Sequence, residues 1–370
     1  MLKGRASSAG TANYASRFSN LPGNFRPMLG CSVSSIGIGT YLGEPTEADD
    51  ESYDASLKEA LRGGINLVDT AVNYRFQRSE RTIGKAIADL TAAGDLTREE
   101  FIVATKGGYI TFDGEVPPDP RSWFEQHFIR TNIVKPGDLV DGSHCMTPKY
   151  IGVMLETSRR NLGLETIDIY YLHNPETQLE VVDRREFLTR IRAAFEFLEI
   201  AVSDNKIGVY GVATWNGLRA EPTARGWLSL DELLKTAQEV GGEGHHFRAI
   251  QLPYNLAMPE AVTRGNQIVG NGRATTLAMA QQLGIGVSAS ATLLQGQLSR
   301  GLPQILRDAF KSFASDAQRA IQFVRSTPGV NVALVGMKSA DHVRDTLAAA
   351  THPPATVDEL MQLFKRSDEP

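Results

Sequence analysis

A chain of 370 residues, 42% hydrophobic and 22% charged, has ordinary globular composition and is long enough to bury a large core without disulfides. Its net charge of −5 argues against a nucleic-acid partner, and no run of about 18 apolar residues offers a membrane span. Its two cysteines, Cys31 and Cys145, form neither a disulfide framework nor a metal pattern, so no metal is expected and a reducing, cytoplasmic setting is.

Residues 1–30 read as an N-terminal tail or extension. The first 18 contain no acid and lack a secretory apolar region, which suggests a flexible segment, with an organelle transit peptide as the alternative. From about residue 33, short β-rich apolar runs alternate with longer helical patterns. SSIGIGT (34–40) is the first strand, and the acid-led, Gly-Gly-stopped stretch 47–64 is a helix. The pairs that follow are strand 65–71 with helix 79–90, strand 101–106 with helix 148–163, and strand 167–173 with helix 184–204. Then come strand 206–214 with helix 228–242, strand 248–255 with helix 273–284, strand 285–291 with helix 315–327, and strand 330–337 with helix 339–350.

Apolar runs without alternation are strands buried on both faces, as in parallel sheets. Eight strand–helix pairs close naturally into a (β/α)₈ TIM barrel, giving an α/β fold with residues 31–370 as one domain. A doubly wound sheet is the rival, but no strand leads into a GxGxxG loop, and Gly37-Ile38-Gly39 is too short for one.

Barrel enzymes carry their chemistry at the C-terminal ends of the strands. Asp69 ends strand two, with Tyr74 just beyond it. Lys106 ends strand three, His173 ends strand four, and strand six carries Gln251. Any one of these alone is an ordinary cap, turn or structural residue; an acid, a phenol, a lysine and a histidine on one rim are harder to explain so.

At these positions the sequence resembles the aldo-keto reductase family. The matching stretches are DTAVNY (69–74) followed by SE (79–80), VATK (103–106), YYLHNPE (170–176), IQLPYN (250–255) and GMKSADHV (336–343), in family order and over most of the chain from residue 33. Gly37 and Thr40 fit the family's opening Gly-x-Gly-Thr. The resemblance implies an NAD(P)H-dependent oxidoreductase that reduces aldehyde, ketone or sugar carbonyls, or runs the reverse, with Asp69, Tyr74, Lys106 and His173 as its catalytic group. Tyr74 would donate the proton. Its free phenol has a pKa of about 10, which the Lys106 ammonium would lower. Asp69 would keep Lys106 charged and placed, and His173 would orient the carbonyl oxygen.

The resemblance also implies NADPH as cofactor, with NADH as an alternative. Gln251 matches the family's carboxamide holder, but the expected Ser-Asn pair reads Ala213-Thr214, and Ser290 stands where the family often has a stacking aromatic ring; Trp215 could supply that cover. Gly39 and Thr40 after strand one, and Leu293 and Gln295 after strand seven, are further cofactor candidates. Gly336, Lys338, Ser339 and His342 form the phosphate end, a helix N-terminus where Lys338 would meet the 2′-phosphate. Thr346 stands where the family often has Asn, which blurs the NADP-over-NAD distinction.

Residues 108–147 form a long insertion after strand three, since barrel loops there usually run two to six residues. Within it, 121–133 has the spacing of a short amphipathic helix. Its exit on the catalytic face predicts that it walls the substrate pocket; surface decoration or a homo-oligomer contact is the alternative. Arg75, Arg78 and Arg81 are either anion receptors or partners for nearby carboxylates, and His245-His246 reads as a solvated loop. Two other functions compete with a reductase: a slow cofactor-binding regulatory subunit, like the potassium-channel β subunits of this family, and a lyase or isomerase using Lys106 as a Schiff base.

Overall fold

The structure, a computed structural model, describes residues 1–363; the last residues of the expected 31–370 domain, 364–370, lie outside the described residues. Among them, eight parallel strands close into one barrel. They are β1 (Ile36–Gly39), β2 (Leu67–Asp69), β3 (Ile102–Gly107), β4 (Ile167–His173), β5 (Ile207–Ala213), β6 (Phe247–Pro253), β7 (Gly286–Ser290) and β8 (Val332–Gly336). Strand β1 closes the ring by pairing with both β2 and β8. The main helices between and after them, one for each strand, are α1 (Glu47–Arg62), α2 (Arg78–Ala92), α3 (Pro148–Leu162), α4 (Arg184–Ser203), α5 (Leu230–Gly241), α6 (Thr276–Gln282), α7 (Asp316–Ser326) and α8 (Ala340–Ala350).

The local chemistry accounts for these boundaries. Thr46 caps α1 by accepting from Asp49 N, and Glu47, Asp49 and Asp50 place negative charge at the positive end of the helix. Thr147 caps α3 ahead of Pro148, and Gly163, at φ 66°, ends it in a left-handed turn. The expected helix from residue 273 begins later, at Thr276: a small hairpin, Gln267–Val269 with Gly272–Ala274, takes the first residues, and Thr275 is the true cap.

Side chains on one face of a strand recur every second residue. The barrel interior is therefore filled by Leu67, Ile102 with Ala104, Ile169 with Tyr171, Ala213, Ala249, and Val332 with Leu334, all buried in one cluster. Gly37 leaves room for this filling; a Cβ there would lie 2.9 Å from Leu67, Val332 and Leu334. A hairpin ahead of the barrel, Phe25–Met28 with Cys31–Ser34, contributes Met28 and Val33 to the same cluster and plugs the end where the strands begin.

The first residues are not a flexible tail. Residues Ser8–Ser16 form a helix, and Tyr14 on it is fully buried, donating its hydroxyl hydrogen bonds to Leu61 O at 2.5 Å and Ile65 O at 3.1 Å. Leu2 pairs with the end of α3: its N–H bonds Gly163 O at 2.7 Å and its carbonyl accepts from Glu165 N at 3.0 Å. Composition alone suggests a tail because nothing local reveals that Tyr14 docks between residues nearly fifty positions away.

The insertion is also ordered. Its helical part is shorter than the expected 121–133, an α-turn at Pro120–Phe124 running into a π-turn at Glu125–Ile129. Phe128, Val134 and Val140 are buried, Phe128 against the Tyr150 ring of α3 at 5.8 Å.

Candidate active site

On four of the strands the inward file starts apolar and ends polar. Two residues beyond Leu67 on the same face stands Asp69, beyond Ala104 stands Lys106, beyond Tyr171 stands His173, and beyond Ala249 stands Gln251. Pleat alone therefore brings an acid, a lysine, an imidazole and an amide to the C-terminal rim. Tyr74 joins them from the turn after β2.

Lys106 is fully buried, and its Nζ donates to Asp69 Oδ2 at 2.7 Å and to Thr70 O at 2.6 Å. The other oxygen of Asp69 accepts from Gln251 Nε2 at 2.7 Å. Above this pair, Lys106 Nζ lies 4.9 Å from the centre of the Tyr74 ring, and the Tyr74 and His173 rings meet edge-on at 5.9 Å. His173 Nδ1 and Thr214 Oγ1 are buried with no protein partner.

Burial pushes the Tyr74 phenol well above its ordinary value, and the Asp69 charge adds to this. Burial also pulls Lys106 down, against the raising effect of the Asp69 carboxylate. His173 is pushed well below the ordinary imidazole value by burial and then by Lys106. The sequence-based expectation that Lys106 lowers the Tyr74 pKa differs from this arrangement. The ammonium spends its two bonds on Asp69 and Thr70, and desolvation dominates at the phenol, which is held protonated.

These groups border a cavity of about 830 Å³. Asp69, Tyr74 and His173 line it, whereas Lys106 lies beneath its floor. Of the expected cofactor residues, Gly39 and Thr40 line it from the end of β1, and Ala213, Thr214 and Gln251 from β5 and β6. Leu293 and Gln295 line it after β7, and Gly336 and His342 at β8 and α8. Lys338 and Ser339 are outside this lining. Lys338 is ion-paired with Asp49 at 3.1 Å, and Ser339 is the cap of α8, accepting from His342 N.

Sequence reasoning missed Tyr41, Leu42, Tyr109, Asn174 and Asp345, all of which line the cavity. Tyr41 and Tyr109 each stand two residues past a strand end, just beyond the position that singled out Asp69 and His173. Asp345 lies one helical turn beyond His342. The insertion does not wall the pocket as expected: among the described residues, Tyr109 alone of it reaches the lining. The rest turns back over α3 and the start of α2, where Phe112 meets Phe76 and Trp123 and Phe128 packs on Tyr150. The three arginines are engaged outside the cavity, Arg75 and Arg78 by Asp50 and Arg81 by Asp113. His246 bonds Glu199 at 2.7 Å, just ahead of β6.

A sequence profile described as the Aldo/keto reductase family matches residues 35–365, so the chain belongs to that family, whose class is that of an NAD(P)H-dependent oxidoreductase. Among its relatives, a putative voltage-gated potassium channel subunit beta of Schizosaccharomyces pombe is 22% identical over 95% of this chain and 93% of its own. The NADH-specific methylglyoxal reductase of Escherichia coli is 28% identical, but the match spans about half of each protein, 49% of this chain and 48% of that one. Among solved structures, an aldo/keto reductase from Klebsiella pneumoniae in complex with NADP and acetate is similar over 92% of this chain and 94% of its own, with a TM-score of 0.60 at 22% identity. The holo form of an aldo-keto reductase from Bacillus halodurans gives 0.62 at 21% identity, over 92% and 95% of the two chains. These structural likenesses bear on the fold.

Proposed function

We propose that this chain is a carbonyl reductase acting on aldehydes, ketones or sugar carbonyls, or in the reverse direction, with NADPH as cofactor and NADH as an alternative. The observation that carries the reading is the placement of Tyr74 and His173 side by side on the cavity wall, with the Tyr74 ring over the buried Lys106 that Asp69 holds. Bound NADPH would supply the hydride. Tyr74, kept protonated by burial, gives its hydroxyl proton to the alkoxide oxygen as it forms. The phenolate left behind is stabilised by Lys106, whose ammonium is 4.9 Å from the ring centre and is held by Asp69. His173, neutral at physiological pH, orients the carbonyl oxygen.

The donors present fit a nicotinamide cofactor. The buried, unpartnered Thr214 hydroxyl and Gln251 would hold the carboxamide in place of the missing Ser-Asn pair. Gly39, Thr40, Ala213, Leu293 and Gln295 would pack along the dinucleotide, and Trp215, 42% exposed on the rim, would cover its ring. Gly336 and His342 would meet the phosphates, with Lys338 and Ser339 beside them. The Klebsiella pneumoniae relative with NADP and the NADH-specific Escherichia coli relative support each of the two cofactors. Both cysteines are free among the described residues, which fits a cytoplasmic setting. No described helix is long and apolar enough to cross a membrane.

NADPH oxidation across a panel of aldehydes, ketones and aldoses tests the reading: turnover of at least one carbonyl supports it, and cofactor binding without turnover of any overturns it. That second outcome would favour a regulatory subunit, the reading supported by the Schizosaccharomyces pombe relative.

A further inference from the structure

The insertion returns to the barrel at His144, and this return touches the end of β4. Strand β3 pairs with β4 as far as Gly107 opposite Leu172, and then the chain leaves the barrel. Its two legs are bonded to each other where they depart and arrive, Cys145 N to Gly108 O and Ile110 N to Ser143 O, both at 2.7 Å. Between them the fully buried His144 ring is laid against the strand end, with Nε2 2.7 Å from the carbonyl oxygen of His173.

A chain of donors fixes which nitrogen of His144 carries the proton. Arg190 Nη1, which can only donate, bonds Gln178 Oε1 at 2.5 Å. That turns Gln178 Nε2 toward His144 Nδ1, 2.7 Å away, so Nδ1 accepts and Nε2–H donates to His173 O. Burial pulls the His144 pKa down to about 4, so the ring stays neutral at pH 7 and keeps this tautomer.

Two more features belong to the same device. A Cβ on Gly108 would lie 2.7 Å from His173 O and 2.9 Å from His144 Nε2, so a side chain there would block the bond. The Tyr109 ring stands edge-on between the two imidazoles, 5.0 Å from each, and its hydroxyl accepts from Asn174 Nδ2 at 3.1 Å. His173 itself has a buried Nδ1 with no protein partner. Its ring is thus aimed by the backbone at the end of β4 and by the rings beside it.

We propose that His144 is a positioning residue: through its hydrogen bond to the His173 carbonyl, the insertion fixes the end of β4 and so the aim of the His173 ring at the substrate carbonyl. This rests on the reading of His173 as the group that orients that carbonyl. A small misplacement of such a group is enough to cost up to about 100-fold in rate.

The test is a double-mutant cycle on the full chain with NADPH and its best carbonyl substrate. His144→Phe keeps a ring and removes the donor, and His144→Gln returns an N–H near the Nε2 position. The expected result is a fall in kcat of roughly tenfold or more for His144→Phe with NADPH Kd changed less than twofold, and substantial recovery in His144→Gln. In a His173→Ala background, His144→Phe should have no further effect on kcat. If His173→Ala itself leaves kcat unchanged, the reading of His173 fails. If His173→Ala is impaired but His144→Phe is within twofold of the parent, or lowers kcat equally in both backgrounds, the positioning proposal fails. Should His144→Phe not fold, Gly108→Ala, whose Cβ would lie 2.7 Å from His173 O and 2.9 Å from His144 Nε2 and so block the bond, is judged by the same outcomes.

Discussion

Lys106, fully buried, and Asp69, on the cavity lining, form an ion pair, Nζ to Oδ2 at 2.7 Å, in the last inward layer of the barrel, with the Tyr74 ring above it. The pair holds the positive charge of a fully buried ammonium under a phenol. Its geometry makes it costly to break from one side only.

Asp69→Ala leaves the Lys106 ammonium buried with Thr70 O as its hydrogen-bond acceptor. The expected loss of stability at pH 7 is about 3 kcal/mol, the usual scale for stripping one partner from a buried pair. The double variant Asp69→Ala, Lys106→Met should be more stable than the single one, since no charge is left behind. Urea denaturation checks both statements. A single variant within about 1 kcal/mol of the parent contradicts the account of the pair.

His144 makes stability depend on pH. Its folded pKa is about 4 against 6.5 for the free group, so between these values the unfolded chain binds a proton that the folded chain refuses. Stability should therefore fall as pH drops through this window, by about 3 kcal/mol from this residue, and level off below pH 4. Denaturation of the parent and His144→Gln at several pH values isolates the effect. The difference between them should change with this sign over pH 6.5 to 4, and a difference that stays constant contradicts the assignment.

Lys338 is ion-paired with Asp49 rather than free. To meet a 2′-phosphate it must leave that carboxylate. Asp49→Asn should thus tighten NADPH by about 0.5 kcal/mol while leaving NADH nearly unchanged, the scale of an exposed ion pair. Lys338→Met should weaken NADPH more than NADH. Fluorescence titration of both cofactors reads the outcome, and equal shifts for the two cofactors show that Lys338 does not read the phosphate.

The barrel is legible in the sequence because each βα unit announces itself locally, by an unbroken apolar run and then a capped, 3.6-periodic stretch. The rim residues are legible for the same reason: Asp69, Lys106 and His173 each end such a run, so strand pattern alone locates them. What depends on contacts between distant residues is not legible. Tyr14 reads as part of a tail until it docks on Leu61 and Ile65. Lys338 reads as free until it meets Asp49, 289 positions away. The insertion reads as a pocket wall from where it leaves the barrel, yet Phe112, Trp123 and Phe128 pack over α3 and the start of α2.

The central claim is that Tyr74 is the proton donor of a carbonyl reductase, and Tyr74→Phe tests it most directly. The substitution keeps the ring that packs on Lys106 and His173 and removes only the hydroxyl. On the best carbonyl found with the parent, kcat should fall by roughly 100-fold or more, the scale of losing a general acid, with NADPH affinity retained. A folded, cofactor-binding Tyr74→Phe protein that turns over at near the parent rate contradicts the account.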